Sequence, residues 1–372
     1  MERGMRRRTF LRRGVAGCAA TCGGVLSSAQ SAPEHTPAGP GSVTMRIGTH
    51  ARKLGESFCG HLCEALQRNI ETLSEGRVHV SIETMGTAGR DVHTLVRVRQ
   101  RRLQAAQHSL SNLTAFIPAM DLLSLPFWAD TPARFLNLVS SPAWRSIMEP
   151  PVNAAGFEIL LYLPIGMRVL AVRRGMPAPV ARPEDLRGKR VRVPASRVLR
   201  TFYRHCGGAP VPVPWNALAP QLESGALDIV DPAIPALFHG GLGEYLGAIS
   251  QIGAVVHGHA ITANRRWLEG LPANAQHAIR EGAQRAFREV VDHISMTFRH
   301  AGQALEAEGA EILALDADTR AAWRQKAGAQ ATQWAELKTQ LAGSPREFKL
   351  LDDAVRAPGP YTGRFPELGN MT

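Results

Sequence analysis

His257-Gly-His259 places two imidazoles two residues apart, and strand alternation would put both rings on one face, where they could act as a pair of metal ligands. Alternation alone also produces same-face histidines, so no metal is expected there. His205 and Cys206 are adjacent, which makes a thiol nucleophile conceivable, but neighbours in sequence need not face each other. Cys59 and Cys63 stand four residues apart on a predicted helix, one above the other. A zinc site would need two further ligands at a recognisable spacing, and none follows. Both cysteines therefore read as small buried apolar residues. The chain contains no Gly-x-Ser-x-Gly, no His-Glu-x-x-His, no phosphate-cradling glycine loop and no dinucleotide fingerprint. Gly241-Leu-Gly243 lacks the third glycine that a dinucleotide loop needs. Neither an enzyme nor a cofactor is expected.

Arginine is the other residue type that could do chemistry. The 372 residues carry 43 Lys+Arg against 32 Asp+Glu, a net charge of +11. The first 29 residues hold six of those arginines and one acid, so the charge falls to +6 without them. Of the rest, Arg97, Arg99, Arg101 and Arg102 cluster, and Arg173 and Arg174 are adjacent. Arg97 and Arg101 share a helix face, but no aromatic platform for stacking bases accompanies them, so nucleic acid is not an expected partner. The balance fits an anionic small molecule slightly better.

Composition is 44% apolar, 6% aromatic and 20% charged, which excludes a disordered chain, and the length suits about two α/β domains. No run of about 18 apolar residues occurs, so no membrane span is expected in the mature protein. At the N-terminus, Arg7-Arg8-Thr9-Phe10-Leu11-Arg12 is a twin-arginine arrangement followed by a weakly apolar run from Val15 to Leu26. Ser27-Ser28-Ala29 supplies the small residues of a cleavage site, so residues 1–29 are read as an export signal and Gln30 as the first mature residue. Val15-Ala16-Gly17-Cys18 is a rival lipobox, but only four residues separate Arg13 from Cys18, too few for an apolar region.

The elements that must position these groups follow from periodicity. Residues 30–42 form a Pro/Gly-rich linker. Val43 to Gly48 alternates as a strand, Leu54 to Ile70 repeats as a helix, and Arg77 to Glu83 alternates again. A helix from Arg90 to about Arg101 and a strand near Leu103 to Ser109 complete a β-α-β-α-β order, which implies a parallel sheet with right-handed crossovers. Strand-like runs at Glu158 to Leu163 and Met167 to Val172 open a second unit. It continues with strand Lys189 to Val193, a helix from Ser196 to His205 and a strand near Pro210 to Val213. Helix Trp215 to Glu223 and strand Ala226 to Val230 complete it. Apolar segments at Ile252 to Val256 and Ala260 to Thr262 precede long helical patterns from Ala273 to Ala307 and Asp318 to Leu341. The expected division is a first lobe over 43–165, a second over 166–249, cross-lobe strands and helices over 250–342, and a loose tail over 343–372. Part of 250–342 returns to the first lobe. Two such lobes place a ligand cleft at their interface.

Gly166-Met-Arg168, Arg182-Pro-Glu-Asp-Leu-Arg-Gly188 and Lys189-Arg-Val-Arg-Val-Pro194 together resemble one transporter family. Leu222-Glu-Ser-Gly-Ala-Leu-Asp228, the Leu125-Pro-Phe127 turn and the Met85-Gly-Thr-Ala-Gly89 loop add to the match, which runs from about Val43 to Ala342. The chain is similar to the solute-binding proteins of tripartite ATP-independent periplasmic (TRAP) transporters, the DctP family. The resemblance implies a two-lobe periplasmic binding protein fold of α/β class, with a hinge and long C-terminal helices. It implies capture of an organic acid between the lobes and delivery to the TRAP membrane subunits. It also assigns Arg192 to the ligand carboxylate, for which a guanidinium fork is chemically suited. Arg168 matches a second ligand-facing arginine, and Trp215 falls where the family often has an aromatic residue beside the ligand. His50, after the first strand, and Asn112, after the third, occupy loops that could reach the cleft.

The chain also departs from the family pattern. Where the family usually carries Gly-Gln-Glu-Asn-Pro, this chain reads Ile229-Val-Asp-Pro232-Ala, so a proline replaces an amide donor. Ala217 stands where an acid is usual. These changes turn expectation away from C4-dicarboxylates and sialic acid, and leave Asp231 either to favour a ligand with a hydroxyl or amine or to bind nothing. Two other function classes stay open at this point: a periplasmic ligand sensor for a membrane kinase, and a periplasmic enzyme.

Overall fold

The computed structural model describes residues 42–88 and 91–365, so the twin-arginine segment and its cleavage site lie outside the described residues. Its strands in chain order are β1 (Val43–Gly48), β2 (Val78–Glu83), β3 (Ala105–Ser109), β4 (Phe157–Met167), β5 (Leu170–Arg173) and β6 (Arg190–Val193), then β7 (Ala209–Pro212), β8 (Ile229–Val230), β9 (Leu246–Gln251), β10 (Val256–Asn264) and β11 (Glu311–Ala314). Five of them form one sheet in the order β2-β1-β3-β10-β4, and six form a second in the order β11-β9-β5-β8-β6-β7.

In the first sheet β1 pairs in parallel with β2 and β3, as the β-α-β-α-β order requires. Met45 and Ile47 of β1 are fully buried, in one core with Leu62, Leu66 and Ile70 of the helix Phe58–Leu73, which packs on β2. Ser57 starts that helix by accepting the Gly60 N–H. Strand β10 is antiparallel to both its neighbours and is buried along its whole length. In the second sheet β6 is parallel to β7 and β8, whereas β5 is antiparallel to β8 and β9.

The chain crosses between the sheets at places that matter for the site. Strand β4 ends at Met167 and β5 begins at Leu170 in the other sheet, while β9 ends at Gln251 and β10 begins at Val256 in the first. Arg168 ties these two crossings together, since its N–H donates to Val255 O at 2.8 Å and its backbone bridges Ala233. Two residues earlier, Gly166 has φ +128°, and a Cβ there would lie 3.0 Å from the Phe298 ring. Glycine is the residue that meets both demands. Phe298 belongs to the helix Ile294–Ala307, which packs on β4 and then leads to β11 in the second sheet, a third crossing.

Several elements differ from the sequence reading. Pro164 breaks the apparent strand between Leu163 and Met167, yet β4 continues through it, because β4 is an edge strand and Pro164 pairs with Gly258 beside a register shift. The pattern from Ala273 to Ala307 is two helices, Ala273–Val291 and Ile294–Ala307, with Asp292 capping the first. The later pattern likewise stops at Ala327 and resumes at Ala335. The segment from 343, expected as a loose tail, holds the helix Pro345–Arg356. Its Leu351 and Val355 are buried, and it packs on the helices Pro132–Val139 and Pro142–Ala154. Among the described residues no helix is long and apolar enough to cross a membrane.

Candidate functional site

A cavity of about 470 Å³ lies between the two sheets, where the crossings converge. Its charged end comes from the second sheet. Val191 and Val193 of β6 are buried in that sheet's core, and Arg192 between them reaches the cavity while remaining only 5% exposed. Its Nε donates to Val213 O at 3.0 Å, and its guanidinium carbon lies 5.8 Å from the centroid of the Trp215 ring. Trp215 in turn rests on Gly240, where a Cβ would come within 2.7 Å of the indole. Arg168 enters from the crossing, 4% exposed, and donates from Nη2 to Ser111 Oγ at 3.0 Å.

Asp231 sits behind both arginines. It is completely buried, with Oδ2 3.3 Å from Arg168 Nη1 and Oδ1 3.6 Å from Arg192 Nη1. Tyr203 donates its hydroxyl to Oδ2 at 3.3 Å, and burial holds that phenol well above its usual range. Burial pulls the Arg192 pKa down from the ordinary guanidinium value, the Asp231 charge opposing this. The arrangement is a buried cation pair sharing one anion.

The opposite wall is built on the histidines of the first sheet, and Arg52, Lys53, Glu56 and Asp91 of the same lobe also line the cavity. Gln107 Oε1 accepts from Thr49 Oγ1 at 3.1 Å and from the His50 N–H at 3.2 Å, which orients its amide nitrogen toward His259 Nδ1. His259 therefore accepts at Nδ1 and carries its proton on Nε2. His257 accepts the Ala233 N–H at Nδ1, 3.2 Å away, so its Nε2–H faces Ser109 Oγ at 3.3 Å. Burial is the largest cause lowering the pKa of His50, His257 and His259, and the arginine charges push the last two further down. Asn112 Nδ2 and His50 Nε2 are buried without a hydrogen-bond partner among the described residues.

Five of the six residues singled out in the sequence (His50, Asn112, Arg168, Arg192 and Trp215) line this one cavity. Asp231 does not: its carboxylate is turned onto the arginines and has no exposed surface. Sequence reasoning did not reach Gln107, Ser111, Tyr203 or Asp91. His257 and His259 were noticed for their alternation but not placed at the cleft. Among the described residues no group of three or more metal-ligating side chains is arranged to hold an ion. The cysteines are poor nucleophiles, because burial pushes the thiols of Cys59, Cys63 and Cys206 up to about 12. His205 stacks on Trp334 with ring centroids 6.1 Å apart.

Contacts at the rim join the two walls. Arg52, exposed on the loop after β1, donates to Gly240 O at 2.9 Å. The Trp215 N–H donates to Asp91 Oδ2 at 3.2 Å.

Two sheets exchanging strands around a cleft with a buried cationic end define a two-lobed ligand-binding protein of mixed α/β class. The family model of the bacterial extracellular solute-binding proteins, family 7 (DctP), matches residues 52–337, and the chain belongs to that family. The chain is 23% identical to the ectoine-binding periplasmic protein TeaA of Halomonas elongata over 237 residues, 63% of this chain and 68% of that one. It is 22% identical to the C4-dicarboxylate-binding periplasmic protein DctP of Rhodobacter capsulatus over 264 residues, covering 68% and 76%. Its fold is similar to a TRAP periplasmic solute-binding protein from Chromohalobacter salexigens solved with bound D-glucuronate. That match has a TM-score of 0.75 at 19% identity and covers 84% of this chain and 100% of that one.

Proposed function

We propose that the protein captures a small organic acid in this cleft, outside the cytoplasm, and delivers it to the membrane subunits of a TRAP transporter. The observation that carries this reading is the state of Arg192. Among the described residues its guanidinium donates one hydrogen bond, from Nε, while Nη1 stands 3.6 Å from the nearest Asp231 oxygen. The two terminal nitrogens thus donate no hydrogen bond, although Nη1 shares the Asp231 charge, and this leaves the fork able to pair with a ligand carboxylate. Ectoine, C4-dicarboxylates and D-glucuronate, named for the relatives above, all contain a carboxylate.

In this reading Arg192 clamps the carboxylate and Trp215 covers the guanidinium. Arg168 adds charge from the crossing, and His50 and Asn112 supply polar contacts from the facing lobe. Binding closes the lobes about the crossings, and the closed form presents a distinct surface to the membrane partner. The Arg7-Arg8 signal exports the folded chain, which matures at Gln30 as a free periplasmic protein.

A thermal-shift screen of the mature protein against organic acids tests the reading. A ligand at about 100 times its Kd adds about 2.7 kcal/mol of stability. The shift is expected in the parent and lost in Arg192→Ala. A shift that survives Arg192→Ala would remove that residue from the ligand.

A further inference from the structure

We propose that the end of the first sheet opposite the cavity is a docking surface for the anionic headgroups of a phospholipid bilayer, carried by Arg46, Arg99, Arg101, Arg102 and Arg266. The inference stands apart from the acid-capture reading, since it needs no ligand in the cleft.

Gln104, just ahead of β3, gathers the cluster through hydrogen bonds. Its N–H donates to Arg46 O at 2.9 Å, and its Oε1 accepts the Arg46 N–H at 2.9 Å. Its Nε2 donates to Arg101 O at 3.4 Å, and its backbone oxygen accepts the Asn264 N–H at 2.8 Å. Asn264 Nδ2 in turn donates to Val98 O and Arg99 O, at 2.9 and 3.3 Å, and Arg265 and Arg266 follow it in the chain. Strand β1, the end of the helix Val92–Arg99 and the start of the helix Arg265–Glu269 therefore deliver their arginines to one place. The sequence shows only the run around Arg99; the fold adds Arg46 and Arg266.

All five residues are exposed, and among the described residues none of them pairs with an acid. The acids of this neighbourhood are taken by other arginines: Glu83 by Arg97 at 3.0 Å, Glu269 by Arg265 at 2.7 Å and Glu158 by Arg280 at 2.7 Å. Five positive charges thus face solvent with no counter-charge from the protein. Their mutual repulsion is relieved by an array of anions brought against them. The Arg99 guanidinium is also held over the Phe116 ring, 5.1 Å from its centroid, which fixes one member of the set.

A bilayer fits this surface better than an acidic protein does. The core of a protein interface is depleted of charge and built on apolar anchors. No large apolar side chain is exposed among these arginines; the two exposed ones among the described residues, Met296 and Leu350, lie on other helices. Guanidiniums pair bidentately with phosphate, and each basic residue held near an anionic membrane strengthens attachment about fivefold. Position agrees as well. Strands β1 and β3 run from this end toward His50 and Ser109 at the cavity, and β10 runs back from His257 to Asn264. Gln104 lies about 16 Å along the strand from Ser109, so contact with lipid at one end leaves the ligand-binding end clear.

The test is co-sedimentation of the full mature chain with vesicles of phosphatidylcholine alone or with about one third phosphatidylglycerol. The parent is expected to pellet with the anionic vesicles only, and its affinity to fall at least about tenfold between about 50 mM and about 300 mM salt. Arg99→Gln, Arg101→Gln and Arg102→Gln together should weaken binding at least about tenfold. Arg187→Gln, Arg204→Gln and Arg346→Gln together remove the same charge from exposed positions elsewhere and should change it less than about threefold. A parent that ignores anionic vesicles, or binds both kinds equally, overturns the inference. Equal losses in the two triple variants overturn the assignment to this surface and leave only net charge. If the first triple variant fails to fold, Arg46→Gln with Arg266→Gln probes the same surface from other elements, and the comparison of vesicles is read on the parent alone. Retention of the parent by purified membrane subunits without any binding to vesicles would give the surface to a protein partner and overturn the inference.

Discussion

Nη1 of Arg192 stands 3.6 Å from Oδ1 of Asp231, near enough to share charge and beyond hydrogen-bond reach. Arg168 sits closer to the same carboxylate, at 3.3 Å, and also donates to the Asp231 backbone oxygen. The two arginines are therefore not equivalent. Arg168 is held by Asp231 and Ser111 and belongs to the framework of the crossing. Arg192 is held by Nε alone and keeps its fork for the cavity.

This asymmetry predicts what removing the shared anion does to the fold. Asp231→Ala leaves two buried guanidiniums repelling each other and deprives the Tyr203 hydroxyl of its acceptor. Breaking a buried pair from one side costs about 3–5 kcal/mol. Urea unfolding should show a loss in that range, and a change within about 0.5 kcal/mol would mean the group is not the buried anion described here.

Acid should also destabilise the protein. His50, His108, His257 and His259 all have lowered pKa values with burial as the largest cause, His108 falling to about 4. In the unfolded chain each titrates near about 6.5. Above that value both states are neutral and the histidines contribute nothing to the pH dependence. As pH falls below it, the unfolded state takes up protons that the folded state refuses, so stability falls by up to about 1.4 kcal/mol per unit for each histidine. Asp121, whose buried carboxyl is pushed up, acts with the opposite sign and offsets part of the loss. The urea midpoint should drop between pH 7 and pH 5. A midpoint constant over that range would contradict the neutral, buried histidines.

The rim contact between Arg52 and Gly240 predicts an effect on kinetics rather than folding. Arg52 is exposed, and its one bond to the facing lobe is made when the walls are together. Arg52→Ala should leave the unfolding midpoint unchanged while raising the ligand dissociation rate several-fold, as stopped-flow displacement would read. An unchanged dissociation rate would show that this contact does not hold the cleft shut.

Much of this was legible in the sequence, for identifiable reasons. The Val191-Arg192-Val193 alternation gave the strand its face, and the helix read from Ser196 begins at its Ser196 cap, whereas the helix read from Leu54 begins only at Phe58, after the Ser57 cap. Strand β10 was read only as two apolar pieces. Both its faces are buried, so it shows no alternation of polarity, and its histidines and Gly258 interrupt the apolar run. The helices Pro132–Val139 and Pro142–Ala154 were not anticipated, although Thr131-Pro and Ser141-Pro are cap-and-first-turn signals. Pro150 and Pro151 inside the second argue locally against a helix. At the site, the residues carrying charge or aromatic bulk were found. The part played by Asp231 was not, because a carboxylate facing a ligand and one facing two arginines look the same until the crossing at Arg168 brings 168, 192 and 231 together.

The central claim is that Arg192 recognises a carboxylate, and the most direct measurement compares an acid with its own amide. Titration calorimetry with D-gluconate and D-gluconamide changes the charge of the ligand and almost nothing of its shape. The parent should bind the acid at least about a hundredfold tighter, about 2.7 kcal/mol, and Arg192→Ala should collapse the difference. Equal binding of acid and amide by the parent would contradict it.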